Sequence, residues 1–566
     1  MKKYTIGVDF GTLSGRCVVV DVENGEEAGT AVVDYPHGVI DAKMPNGAAL
    51  PPDTALQHPR DYLLVLEKAI PEAMRAAGVK PEQIAGIGID ATSCTLIPTL
   101  LDGTPLCFLP ELADNPHAYT KLWKHHSAQD EADKLNDIAA ARGEAFLQDY
   151  GGKISSEWLF PKLWQILDEA PEVYDRLECF VELTDWATWQ LCGVLTRNSS
   201  SAGFKAIWSE KRGFPSKDFL KALDPRLENA VAEKLPGQIR TIGGRAGVVT
   251  EEASRLTGLL PGTPVAVAHL DAAGALPGAG ITRPGTMLAI IGTSTCNEII
   301  WEEDVFVPGI CGKVKDSLLP GKIGYESGQS CVGDHFQWFV DNCVPADYVA
   351  AAERAGKNIH AYLTDLAAQK LPGESGLVAL DWWNGNRSVL VDGKLSGVLL
   401  GCTLQTKPED IYRALVEATA YGMRKIVETH EESGVLIDTL VMCGGIARKN
   451  AFAMQVYASV IGKDVHIAGS SQNPALSSAI WAAVAAGKEH GGYDDLDAAV
   501  KAMANVTDLV YHPDPDAKQV YDLLYKEYET LHDYFGRGVN DAMKRLKTIT
   551  EKQMAAAAAT NSRRKQ

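Results

Sequence analysis

The 566-residue chain contains no Gly-x-x-x-x-Gly-Lys-Ser/Thr run, so a P-loop phosphate site is not expected. It has no His-Glu-x-x-His or other zinc spacing. Its eleven cysteines are scattered without a Cys-x-x-Cys pair. An odd number at irregular spacing reads as reduced thiols in a cytoplasmic protein, not as a disulfide framework. No apolar run approaches the ~18–20 residues that a membrane-spanning helix needs. Met1-Lys2-Lys3 is basic, but Asp9 and Gly11 interrupt the apolar stretch that follows, so no secretory leader is expected. Positive charge is also short: 54 Lys and Arg stand against 73 Asp and Glu, a formal charge of −19. A net anion has no general affinity for nucleic acid or an anionic membrane. It can still bind a small anion, which needs only a local positive field.

What is present is a pattern that occurs twice. Tyr4-Thr-Ile-Gly-Val-Asp-Phe-Gly-Thr12 is an apolar strand entering a Gly-Thr turn, and Arg16-Cys-Val-Val-Val20 leaves it extended. Met287-Leu-Ala-Ile-Ile-Gly-Thr-Ser-Thr295 repeats the arrangement, followed by Cys296-Asn-Glu-Ile-Ile300. Glycine lets the backbone pass close to a phosphate, and successive N–H groups in such a turn form an anion-binding concavity. Two facing turns can hold the phosphates of one nucleotide between two lobes. The duplication therefore points to ATP and to phosphoryl transfer.

With 46% hydrophobic residues, the chain can build a large core over two to four domains. Residues 1–280 read as one unit, with strands at 4–9, 16–21 and 84–90 and helices at about 59–77, 121–142 and 157–170. Pro36 to Pro59 reads as a surface loop. Pro264-Val-Ala-Val-Ala268 is a short strand that ends at His269-Leu270-Asp271, and the small residues after it suit a tightly packed helix and turn. A second unit, 281–545, carries the repeat, a helix at about 408–433 and a strand at 439–443. Gly444-Gly445 then opens a helix running to Asn450. Ala475, Ala479, Ala483 and Ala486 recur at helical spacing, so that helix can approach a neighbour closely. The low-complexity tail, 550–566, is expected to be disordered. Alternating strands and helices give an α/β class, and the antiparallel heads make both sheets mixed. Two similar halves imply a central cleft, where ligands bind.

Gly86-Ile-Gly-Ile-Asp-Ala91 fits a loose dinucleotide fingerprint, but its alternating isoleucines place it inside a strand rather than at a strand-to-helix turn. Asp9, taken alone, is a turn-capping carboxylate, and Asp271, taken alone, is a helix N-cap. Together they fit phosphoryl transfer, which needs a carboxylate near Mg2+ and a base for the attacking hydroxyl.

These residues resemble the FGGY family of carbohydrate kinases, within the actin, hexokinase and Hsp70 ATPase superfamily, over roughly 4–545. Asp9-Phe-Gly-Thr12 resembles the family's first phosphate motif, Gly292-Thr-Ser-Thr295 its second, and Gly444-Gly-Ile-Ala-Arg-Lys-Asn450 its adenosine motif. Lys162-Leu-Trp164 with Pro171-Glu-Val-Tyr174 resembles the first family signature, with its Trp one place early. Gly397-Val-Leu-Leu-Gly401 with Asp410-Ile-Tyr-Arg-Ala-Leu-Val-Glu417 resembles the second, where Cys402 and Leu415 depart at packing positions. Leu122-Trp-Lys-His125, Ser155-Ser-Glu-Trp158, Ser201 to Trp208, Gly309-Ile-Cys-Gly312, Glu326-Ser-Gly-Gln-Ser330 and Asp381-Trp-Trp-Asn-Gly385 resemble the members acting on ketopentoses.

The resemblance implies two ribonuclease-H-like domains with mixed sheets and a central cleft. The first would hold the sugar and one phosphate motif, the second the nucleotide. It implies ATP-dependent phosphorylation of a 2-ketopentose, L-ribulose first, with Asp271 as general base and Asp9 placing Mg2+. The sugar would lie near Ala91, Lys205, Asp271 and Glu326. Gly11, Thr12, Gly292, Thr293 and Ser294 would hold phosphates, and Gly444, Gly445 and Asn450 the adenosine. The partners implied are a small sugar and ATP, with no nucleic acid or membrane, and a homodimer is compatible. Two alternatives stay open: a sibling kinase for another ketose, a pentitol or glycerol, and a non-catalytic ATP-dependent sensor or assembly protein on the same fold.

Overall fold

Two sheets of one plan, each headed by a strand–turn–strand unit, form the centre of the computed structural model, which describes residues 2–564. In the first, strands Tyr4–Phe10, Ser14–Asp21 and Glu27–Asp34 form an antiparallel meander. Ile84–Ala91 then pairs parallel with Tyr4–Phe10, and Pro264–Ala266 and His269–Leu270 pair parallel with Ile84–Ala91. In the second, Gly285–Ile291, Thr295–Trp301 and Ile323–Gln329 form the meander. Ile437–Cys443 pairs parallel with Gly285–Ile291, and Val465–Ala468 continues the sheet. Both sheets are mixed, as the repeated heads predict.

The strands are rich in Val and Ile, which pack well on a pleated surface. Every residue of Ile84–Ala91 is buried, because helices cover the first sheet on both faces. On one face lies helix Pro59–Ala77, which starts with proline at its first position and stops at the left-handed Gly78. On the other lies helix Asn473–Ala486, contributed by the C-terminal half. It approaches so closely that a Cβ on Gly7 would stand 1.8 Å from the Ala475 carbonyl oxygen, and one on Gly88 2.2 Å from that of Ser478. The alanine spacing in the sequence marks this contact.

Three local expectations change. The helix anticipated from 121 begins at Gln129, because Thr120 and Lys121 form a short strand against Leu56–Gln57. After Asp271 the chain makes turns and one 3-10 turn at Pro277–Ala279 rather than a helix of any length. Helix Ala542–Arg564 runs through much of the tail that its composition marks as disordered. Alanine has the strongest intrinsic helix preference. The last two residues of that tail, Lys565 and Gln566, lie outside the described residues. Among the described residues no helix is long and apolar enough to cross a membrane, and all eleven cysteines are unpaired thiols.

Candidate active site

Strand register in the first sheet gathers three carboxylates. Asp9 and Asp90 are direct neighbours on parallel strands, with Phe10 beside Ala91. His269 and Leu270 continue beside Asp90 and Ala91. The Asp271 amide donates to the Ala91 carbonyl at 3.0 Å, which fixes Asp271 just beyond the strand ends. Its Oδ1 accepts from the Ala272 amide at 2.7 Å. Burial raises the Asp271 pKa to about 7, helped by the nearby charge of Asp9. Burial also raises Asp9, against the pull of Arg16, whose Nε lies 3.3 Å from Asp9 Oδ2. Asp90 is pushed well up by burial and by Asp9, and Ser478 Oγ donates to its Oδ2 at 2.6 Å. Ala91 itself has no accessible surface, and its carbonyl serves Asp271.

Lys205 and Glu326 come from different halves and meet. Lys205 Nζ donates to both Glu326 carboxylate oxygens at 2.9 Å. Lys205 ends the short helix Ser199–Lys205, which packs against the second sheet through Gly203 and Val314. Burial would lower the Lys205 pKa, but the Glu326 carboxylate more than offsets this and raises it. Asp271 feels the charges of both. The structure thus brings Asp9, Asp271, Lys205 and Glu326 into one charged group.

Both Gly-Thr turns are closed from the glycine amide, over three residues in one and two in the other: the Gly11 amide donates to the Ser14 carbonyl at 3.0 Å and the Gly292 amide to the Ser294 carbonyl at 2.9 Å. Among the described residues, the amides of Thr12, Leu13, Thr293 and Ser294 have no protein acceptor. Such free donors suit phosphate oxygens. Thr12 is also held by its side chain, whose Oγ1 accepts from Trp123 Nε1 at 3.0 Å, and its carbonyl accepts from Gln57 Nε2 at 2.7 Å. Beside the second turn, Gly444 has φ +102°, and a Cβ there would stand 2.3 Å from the Ile291 carbonyl oxygen. Gly445 is exposed, and a Cβ on it would meet nothing within 4 Å, so glycine leaves that surface clear for a ligand. Asn450 Oδ1 accepts from the Ala453 amide at 2.9 Å and caps helix Ala451–Ile461, and its Nδ2 donates to Thr364 Oγ1 at 3.4 Å.

The FGGY carbohydrate-kinase N-terminal domain profile matches residues 4–278 and the C-terminal domain profile residues 287–486. The chain belongs to this family. It is 52% identical over 556 residues to the ribulokinase of Geobacillus thermodenitrificans, covering 98% of both chains. It is 54% identical over 538 residues to that of Bacillus licheniformis, covering 95% of this chain and 97% of the relative. Among solved structures, the xylulose kinase from Rhodospirillum rubrum superposes with TM-score 0.76 at 22% identity, over 94% of this chain and 98% of that one. The gluconate kinase from Lactobacillus acidophilus gives 0.77 at 18%, over 95% and 99%. These likenesses carry the fold, two α/β domains built on mixed sheets. The chain is therefore a carbohydrate kinase that uses ATP.

Several residues of this kinase's site are not evident from sequence. Asp90 hides in a run that scans as a dinucleotide fingerprint, and only its pairing with Asp9 reveals it. Trp123 lies in a recognised segment, but its bond to Thr12 spans 111 positions. Glu298 stands directly opposite Glu326 in register, fully buried. Among the described residues neither of its carboxyl oxygens has a hydrogen-bond partner. Burial and the neighbouring Glu326 charge push its pKa well up.

The residues present fit a nucleotide with a divalent cation. Among the described residues no three or more His, Cys, Asp or Glu side chains form a metal cage. A cation such as Mg2+ does not need one, since it keeps several waters and takes one or two carboxylates plus substrate phosphates.

Proposed function

We propose that this kinase transfers the γ-phosphoryl group of ATP to the terminal hydroxyl of L-ribulose, giving L-ribulose 5-phosphate and ADP. The observation that carries this reading is Asp271 fixed just beyond the Ala91 strand end, beside Asp9 and within reach of the charges of Lys205 and Glu326. Asp271 takes the proton of the acceptor hydroxyl as its oxygen attacks the γ-phosphorus and the bond to the bridging oxygen of ADP breaks. Lys205 donates to acceptor oxygens and Glu326 accepts from acceptor hydroxyls. The amides of Thr12, Leu13, Thr293 and Ser294 hold the phosphates, and the open face of Gly445 takes the adenosine. Mg2+ would be held by Asp9, through water, and would neutralise phosphate charge when bound. The high identity to ribulokinases supports L-ribulose over other acceptors. The unpaired thiols and the use of ATP support a cytoplasmic setting.

The test is ADP release, coupled to NADH oxidation, with a panel of ketopentoses, pentitols and glycerol. L-Ribulose is expected to give the highest kcat/KM. A higher value for another acceptor would reassign the substrate, and ATP turnover indifferent to every acceptor would remove the kinase reading.

A further inference from the structure

The segment Asp381-Trp-Trp-Asn-Gly385 is among those shared with the ketopentose kinases, yet no residue of it has a task in the site described above. It leads into a loop clamped to the second sheet. Ser330 Oγ donates to the Gly385 carbonyl at 2.7 Å. The Gly328 amide donates to Ser388 Oγ at 3.2 Å. Asn386 and Asp392 exchange backbone hydrogen bonds at 3.0 and 2.9 Å, and Asn386 Oδ1 accepts from the Leu390 amide. Gly309 presses on the far end, where a Cβ would stand 1.9 Å from the Val389 carbonyl oxygen. Residues on both sides of Arg387 are therefore fixed.

Arg387 itself is unengaged. It is half-buried, and among the described residues its guanidinium makes no hydrogen bond and no ion pair. Five N–H donors held on a rigid loop without a partner are costly unless a ligand or water takes them. The carboxylates whose charge it feels are Glu157 and Glu326. Glu326 is the carboxylate that Lys205 binds, and Glu157 precedes Trp158, whose ring lies 5.9 Å from Lys205 Nζ. Next to Arg387, Ser388 Oγ lies 3.6 Å from Cys311 Sγ and accepts from the Gly328 amide, and the Cys311 amide donates to the Glu326 carbonyl at 2.8 Å, so Arg387 lies beside the strand that carries Glu326.

We propose that Arg387 is a specificity-determining contact to the acceptor, its guanidinium taking the C2 carbonyl oxygen and an adjacent hydroxyl of the ketopentose, at the end remote from the hydroxyl that Asp271 deprotonates. A planar two-pronged donor suits a carbonyl next to a hydroxyl better than the point charge of a lysine. It would favour a ketose over the matching pentitol, which has no carbonyl. The inference rests on the ketopentose-kinase reading above.

The experiment compares full-length wild type, Arg387→Lys and Arg387→Met. KM for L-ribulose and for ATP comes from the coupled assay, and affinity for ribitol from calorimetry. Arg387→Met is expected to raise the ribulose KM about 10- to 100-fold, the range of a lost hydrogen bond to a charged donor. ATP KM should stay within about twofold, and ribitol affinity should fall less than ribulose affinity, which a merely structural role would not produce. Arg387→Lys should lie between, and it decides the matter alone if Arg387→Met fails to fold. A raised ATP KM with an unchanged ribulose KM, no change in either, or equal losses for ribulose and ribitol would each overturn the assignment. Wild type inactive toward every ketopentose would instead remove the reading beneath it.

Discussion

At the scale of single residues, the carboxylates carry the predictions. Asp271→Asn should lower kcat by about 10²–10⁴-fold, since an amide cannot take the proton. ATP affinity by calorimetry should be unchanged, and near-normal turnover would end the assignment. The wild-type pH profile should show the same group. A base must be unprotonated to act, and burial sets the Asp271 pKa at about 7. Acceptor kcat/KM should therefore be flat at alkaline pH and fall with acid below about 7; a profile flat well into the acid range would contradict it. Asp9→Asn should shift the Mg2+ dependence of the rate more than the sugar KM, and an unchanged metal titration would reduce Asp9 to a turn cap. Lys205 and Glu326 form a buried pair, their side chains 6% and 11% exposed. Removing one partner strands a buried charge and costs about 3–5 kcal/mol, whereas removing both can be close to neutral. Lys205→Met and Glu326→Gln should each depress Tm, and the double variant should recover much of it while ribulose affinity stays lost. A double variant as unstable as the sum of the two would show that the pair is not coupled.

At the scale of elements, glycines separate packing from binding. Gly7→Ala would drive a methyl into the Ala475 carbonyl of helix Asn473–Ala486, where backbone meets backbone and neither can yield. A loss of about 3 kcal/mol or more is expected, read as a fall in Tm. Gly445→Ala meets open space, so Tm should hold while the ATP KM rises; the reverse result would move the adenosine elsewhere. Much at this scale was legible in the sequence. The doubled strand–turn–strand heads, the helix at 59–77 and the alanine spacing of 475–486 are patterns set by near neighbours in the chain, and those are what periodicity reads. Pairings between distant segments were not legible. Thr120 and Lys121 continue a helical pattern but are claimed by a strand far back in the chain, Leu56–Gln57. Asp90 joins Asp9 through a parallel register, and Lys205 finds Glu326 across 121 positions. Each of these residues has an ordinary local role in its own segment, so only tertiary pairing gives it a functional neighbour.

At the scale of the whole molecule, the halves are interlocked rather than merely apposed. The first sheet is covered on one face by a helix from the far end of the chain, and Ser478 on that helix reaches Asp90. A fragment of residues 1–280 is therefore expected to be insoluble or to lack cooperative unfolding, and co-expression with 281–566 should restore it. A soluble, cooperatively melting fragment would show that the helix is dispensable. The same interlock puts a clock on biosynthesis. Roughly two hundred residues separate His269–Leu270, the last strand of the first sheet, from the start of helix Asn473–Ala486. At roughly 5–20 residues per second, a ribosome needs on the order of ten to forty seconds to supply the missing cover. Throughout that interval the face of the first sheet that carries Gly7 and Gly88 waits without its cover, so the newborn kinase is expected to engage chaperones during the second half of its own translation.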